Sequence, residues 1–169
     1  MSTAIFPPEL NTIKEVLYDA CGFQLSDLKL NAESNEYEAC SFVLNGKNMH
    51  ARFSKITPTK TGQFVTIWKR NKDGITEPYS VSDTFDFLVV TARSGNKYGQ
   101  FIFPKLVLAS KGIVSQNGKG GKRGIRVYPS WDAAESKQAA ATQSWQIKYF
   151  LRMDMELAEA MESAKKLLG

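Results

Sequence analysis

Histidine and cysteine are scarce: the 169 residues hold one His, at position 50, and two Cys, Cys21 and Cys40. With no CxxC pair and no second imidazole, a zinc site built on these residue types has no ligand set, and no metal site is expected. The two cysteines stand far apart inside apolar patterns and read as buried, reduced thiols. No apolar run approaches the roughly 20 residues that a bilayer demands, so no membrane span is expected. Met1 to Pro8 has no basic segment ahead of an apolar one, and the cytoplasm is the expected compartment. GxxxxGK[ST] is missing too, which argues against a P-loop NTPase. No Ser or Cys nucleophile sits in a recognisable elbow, so His50 reads as a polar strand residue and Ser-His-Asp chemistry finds no support.

What is present is ordinary in kind but unevenly placed. A hydrophobic content of 43% with 23% charged residues fits a single soluble globular domain. From Lys47 to Arg126 there are 15 Lys and Arg against 4 Asp and Glu, a net of +11, while the remainder carries 7 against 13, a net of −6. That split predicts one face with a positive field suited to a polyanion.

Hydrophobic periodicity predicts the elements. Pro7-Pro8 presets a helix start; Leu10, Ile13, Val16, Leu17, Ala20 and Cys21 recur at helical spacing, and Gly22 ends the pattern. Ser26–Asn35 reads as a polar loop. Tyr37–Leu44 and Met49–Ile56 flank Asn45-Gly46, a dipeptide suited to a type I′ hairpin turn, and Gln63–Arg70 predicts a third strand. Phe85–Ala92 and Tyr98–Phe103 predict a second hairpin through Ser94-Gly95-Asn96. Its unbroken apolar run, Phe87 to Val90, marks a strand covered on both faces and belongs at the centre of the sheet. Leu106–Ser110 predicts a short helix and Ile125–Tyr128 a short strand. Ala133–Leu168, capped by Asp132, predicts a helical stretch broken near Met153-Asp154, with Trp145, Ile147, Phe150, Leu151, Ala158 and Met161 on its apolar face. Met155 and Leu157 add apolar positions beyond the break. The expected fold class is α/β (α+β): a mixed, mainly antiparallel sheet flanked by helices.

Ser115–Gly124 carries four glycines, three cations and no hydrophobic residue. It reads as a loop that is mobile until something binds it. Glycines let backbone N–H groups approach a phosphate, and Lys119, Lys122, Arg123 and Arg126 supply charge. Lys60, Lys69, Arg70 and Tyr128, with Trp68, place cations near aromatics, the mix that holds a nucleic-acid backbone and unstacked bases. The expected partner is nucleic acid, with DNA the expected form, bound without turnover and without a cofactor.

Three motifs in order, Ile56-Thr-Pro-Thr-Lys60-Thr-Gly-Gln-Phe-Val-Thr-Ile-Trp68-Lys-Arg70, Gly99-Gln-Phe-Ile-Phe-Pro-Lys105 and Gly121-Lys-Arg-Gly-Ile-Arg-Val-Tyr-Pro129, together with Trp131, resemble the MepB family from about Tyr18 to Leu151. The resemblance implies a small bacterial protein of a family first named from a gene beside a multidrug efflux pump and its repressor. It carries over no catalytic residues. It also implies one MepB-like domain over 1–151 and a C-terminal helical extension over 152–169. That extension is expected to dock on its own chain in a monomer; the alternative is a dimer contact. The element order is similar, in addition, to the αβββαβ core of restriction-endonuclease-like nucleases. Those hold Mg²⁺ with an Asp on one strand and an acid or Gln followed by a Lys on the next. Asp86 and Gln100 match the first two places, but Ile102 stands where the Lys is needed, and Lys105 follows only after Pro104. Three readings therefore stand side by side. One is a non-catalytic nucleic-acid binder, and the second a Mg²⁺-dependent nuclease centred on Asp86, Gln100 and Lys105. The third is an accessory protein of a drug-response operon that binds a small anion or a partner protein.

Overall fold

The computed structural model describes residues 8–31, 35–154 and 156–168; Pro7 and Met155, named above, lie outside that set. In chain order the elements are α1 (Pro8–Ile13, continued by a π-turn over Lys14–Tyr18), β1 (Leu25–Leu30), β2 (Cys40–Leu44), β3 (Lys47–Phe53), β4 (Lys55–Ile56), β5 (Gln63–Thr66), β6 (Trp68–Arg70) and β7 (Thr76–Pro78). They continue with β8 (Phe87–Ser94), β9 (Lys97–Pro104), α2 (Lys105–Ser110), β10 (Gly124–Val127), α3 (Lys137–Gln146), β11 (Phe150–Arg152) and α4 (Leu157–Leu168). Six strands make the main sheet in the order β1-β2-β3-β8-β9-β11; β10-β5-β4 make a second sheet, and β6-β7 a ribbon. Among the described strand pairs, β3 and β8 are parallel and the rest antiparallel. The architecture is α+β, with a mixed and mainly antiparallel sheet between helices, as expected.

Both expected hairpins form. Asn45 (φ 54°) and Gly46 (φ 83°) close β2–β3, and Gly95 (φ 61°) opens the turn of β8–β9, where a side chain would be strained. β8 lies between β3 and β9, inside the main sheet, which is where the Phe87–Val90 run has to be. Alternation sends Val89 and Ile102 to one face, and Leu88, Val90, Phe101 and Phe103 to the other. The first face is covered by Leu10 and Leu17 of the N-terminal helix with Ala160 and Ala164 of α4. Val65, Val127 and Leu108, from the second sheet and α2, cover the other. Full burial of a Val, Leu or Phe side chain is worth roughly 1.5–3 kcal/mol, so each covering layer is held by several such terms.

Four expectations need correction. The π-turn adds a residue to one helical turn, so Leu17 and Tyr18 are buried while Val16 and Ala20 stay exposed. The expected loop over Ser26–Asn35 contains the edge strand β1, whose pairing with β2 is irregular between Ser26 and Lys29, around Asp27 (φ 55°). Its broken alternation and exposed polar side chains hide it from a periodicity reading. The strand expected over Gln63–Arg70 divides at Ile67: β5 joins the second sheet and β6 pairs with β7. The stretch expected to be helical from Ala133 instead starts at Lys137, with the Ser136 hydroxyl accepting from the Ala139 N–H. It leaves the helix at Gln146 and pairs Phe150–Arg152 with β9 before α4 begins. Gly99 makes that pairing possible, since a Cβ there would lie 2.6 Å from the Leu151 carbonyl oxygen. β11 also crosses the 151/152 position at which a domain limit was expected.

The glycine-rich stretch is tied down by its own backbone. Gln116 and Lys119 exchange hydrogen bonds of 2.9 and 3.0 Å across Asn117 (φ 55°) and Gly118 (φ 76°). Gly121 N–H donates to Gly112 O and Lys122 N–H to Ile113 O, both at 2.9 Å. No helix among the described residues is long and apolar enough to cross a membrane.

Candidate functional site

The second sheet builds one wall of a concavity. Antiparallel register sets Phe64 opposite Arg126 and Val65 opposite Ile125, so alternation buries Val65, Ile125 and Val127 and turns Phe64, Arg126 and Tyr128 outward. Two glycines make room for the outward rings. A Cβ on Gly62 would lie 2.7 Å from the Tyr128 ring, and one on Gly124 would lie 2.5 Å from that of Phe64. β10 is an edge strand, and α3 completes it with side chains. Gln146 Oε1 accepts from the Tyr128 N–H at 2.8 Å, and its Nε2 donates to Arg126 O at 3.0 Å. Gln143 Nε2 donates to Pro129 O and Asp132 O at 3.0 and 2.8 Å. Between α3 and the β5–β10 pair lies a cavity of about 750 Å³.

Its lining carries four cations and three aromatic rings. Lys60, Lys111, Lys122 and Arg126 reach it against one carboxylate, Glu135. Arg126 is aimed by neutral acceptors: Nη2 donates to Thr57 Oγ1 at 2.8 Å and Nη1 to Thr61 O at 3.3 Å, which fixes the guanidinium without cancelling its charge. Lys111 Nζ stands 5.4 Å from the centre of the Trp145 ring, on the same wall. Among the described residues, none of these four cations forms an ion pair.

Of the eight residues expected to contact nucleic acid, Lys60, Lys122, Arg126 and Tyr128 line this cavity. Lys119 is exposed, at the end of the Asn117-Gly118 turn. The other three sit at the β6–β7 ribbon. Lys69 pairs with Asp83 and Glu77; burial works against its charge, yet the hydrogen bonds and negative charges of Asp83 and Glu77 together outweigh this and its pKa is raised. Arg70 donates to Gly74 O and lies 5.3 Å from the Trp68 ring centre. Arg123 donates to the carbonyl and the hydroxyl of Thr76. The sequence reading missed Phe64, Lys111 and Trp145. Phe64 alternates with buried Val65 in a strand that looks apolar on both sides, and its partner Arg126 is 62 residues away.

Asp86 and Lys105 lie side by side, the Lys105 N–H donating to Asp86 O at 3.0 Å, but Gln100 is not brought to them. Gln100 pairs with Thr91 and Pro104 with Phe87, so Gln100 lies about five strand positions, roughly 16 Å, from Asp86. Gln100 is fully buried on the face covered by the N-terminal helix, accepting from Tyr18 Oη at 2.6 Å and donating to Thr91 Oγ1 at 3.1 Å. Asp86 Oδ2 accepts from the Asn48 N–H at 2.8 Å, and Lys105 Nζ donates to Asp83 O at 2.7 Å. Each side chain thus has a structural partner, and the three do not fit a shared Mg²⁺. No group of three or more His, Cys, Asp or Glu among the described residues is arranged to hold a metal ion. His50 packs between Tyr79 and Phe85, with ring centres 4.8 and 5.0 Å away. Burial, helped by the nearby Arg52 charge, lowers its pKa to about 4.

Comparison with known proteins gives this frame a family. The model of the family described as MepB-like matches residues 31–152. The chain belongs to the MepB-like family. It is similar to the crystal structure of MepB, with 31% identity and a TM-score of 0.77 over 90% of this chain and all of that one. A second likeness is to a bacterial homing endonuclease, I-Ssp6803I: 14% identity, a TM-score of 0.46, and 82% and 86% of the two chains covered. No curated protein matches. The MepB-like match contains every cavity residue named here, from Lys60 to Gln146, whereas α4 lies beyond it.

Proposed function

We propose that this MepB-like protein is a cytoplasmic, monomeric nucleic-acid-binding domain that docks its ligand, without cleaving it, in the cavity between α3 and the β5–β10 pair. The observation that carries this reading is the charge of that cavity: four cations with no ion pair among the described residues, one carboxylate, and aromatic walls. Cations held in a concave wall attract phosphates and release counterions when they bind. Lys119, beside the cavity-lining Lys122, extends the same field along the loop. Lys69, Arg70 and Arg123 contribute field more than contact, since their hydrogen bonds hold the ribbon. DNA is the form to test first.

The test is fluorescence anisotropy across a salt series, with and without Mg²⁺, on a DNA duplex and on the single strand. Replacing Lys60, Lys122 and Arg126 together by Ala should weaken binding at low salt and reduce the slope of log K against log salt. The reduction should reach roughly two to three units if each cation meets a phosphate. Intact DNA recovered after incubation with Mg²⁺ is the expected product. An unchanged slope in the triple variant would remove this cavity as the docking site, and Mg²⁺-dependent cleavage would overturn the non-catalytic reading.

A further inference from the structure

We infer that the cavity takes unstacked bases of a single strand, not a duplex. This rests on the nucleic-acid reading above and narrows it to a substrate class. Phe64 and Tyr128 project from the outward face of the β5–β10 pair, with Arg126 on that face between them in register. Each ring rests against a glycine, and both remain partly exposed where they line the cavity. An aromatic ring with an accessible surface beside a fixed guanidinium is a platform for a nucleobase, because every base has a π-face and the guanidinium can meet the adjoining phosphate.

Shape separates the two forms of nucleic acid. The cavity is a recess of about 750 Å³, in the range of pockets that enclose compact ligands. A duplex is read by elements that protrude into a groove, and its bases show only their edges there. Here the aromatic surfaces lie inside the recess, where a base reaches them only after leaving its stack. The cations ring the same recess: Lys60 precedes β5, Lys122 precedes β10, and Lys111 approaches from the end of α2 beside Trp145. A strand threaded past them keeps its phosphates near charge while a base turns inward.

The measurement compares four probes of equal length on the wild-type protein: oligo-dT, oligo-rU, a strand of abasic sites, and a duplex. Oligo-dT or oligo-rU should bind at least ten-fold tighter than both the abasic strand and the duplex. Tyr128→Ala should remove most of that margin while leaving the salt slope intact, and Tyr128→Phe, which keeps the ring, should retain it. Melting temperatures check that both variants are folded, and the wild-type comparison stands without them. A duplex bound as tightly as the single strand overturns this inference and leaves nucleic-acid binding in place; so does an abasic strand bound as tightly as oligo-dT. A margin indifferent to Tyr128→Ala removes the stacking platform. Absence of binding to all four at low salt overturns both readings together.

Discussion

His50 is the imidazole that sequence reading set on a polar strand face, and its neighbours decide its chemistry. Between Tyr79 and Phe85, with Nδ1 buried and without a partner among the described residues, it is neutral at pH 7, its pKa lowered to about 4 chiefly by burial. The unfolded chain takes up this proton near pH 6.5, well before the folded one does. Stability from His50 is therefore complete above about pH 6.5 and is lost as pH falls toward 4, reaching about 3 kcal/mol at the lower end. His50→Phe should flatten the urea-unfolding free energy between pH 7 and pH 5, where the wild-type protein loses about 2 kcal/mol through this group. Carboxylates titrate alike in the two proteins and cancel in the comparison. Parallel pH profiles would count against this account. Gln100 follows the same lesson: a glutamine after a glycine on a strand reads equally well as ligand or core. The Tyr18 hydroxyl that settles the matter is 82 residues away.

At the scale of elements, the join between α3 and β10 governs the cavity. Gln146 is almost fully buried and satisfies two backbone groups at the edge of the second sheet. In Gln146→Ala the Tyr128 N–H and Arg126 C=O lose their partners, at roughly 1–3 kcal/mol in all after partial rehydration. The melting temperature should fall by roughly 3–10 °C, and nucleic-acid affinity should drop, because Arg126 and Tyr128 sit on the loosened wall. A variant as stable as the wild type, with unchanged affinity, would show that the wall does not depend on this contact. Part of this arrangement was legible: the short strand before Pro129 and the cation-rich stretch ahead of it follow from local residues. The ordered loop was legible in principle, since Asn117-Gly118 is the same dipeptide that marks the β2–β3 turn. The edge pairing of Phe150–Arg152 was not, because it exists only once β9 is in place with Gly99 beside it.

For the whole molecule, the main sheet separates two faces with different work. The N-terminal helix and α4 cover one, and Ala160, Ala164 and Leu168 of α4 are buried there with Leu10 and Leu17. The cavity stands on the other face. Removing the chain after Asp154 takes these side chains away and exposes the apolar surface beneath them. Exposing these side chains and the core surface they cover should cost a few kcal/mol of stability. Thermal unfolding should then come roughly 5–10 °C lower, while nucleic-acid affinity should stay the same and both proteins should sediment with the mass of a single chain. A wild-type dimer that dissociates on truncation would instead make α4 an oligomer contact.

Local sequence determined what depends on neighbours along the chain. Asn45-Gly46 required a turn with positive φ, the Phe87–Val90 run required cover on both faces, and the charge count required a basic middle. The family motifs lie in the same stretches. Tertiary structure alone decided which cations stay available and which are consumed. Lys69 looks no different from Lys60 in sequence, yet Lys69 meets Asp83 across the fold, while Lys60 is left facing a recess. The reason is that a cation's role depends on the acceptors within a few ångströms of it, and those are set by strand pairing between residues tens of positions apart.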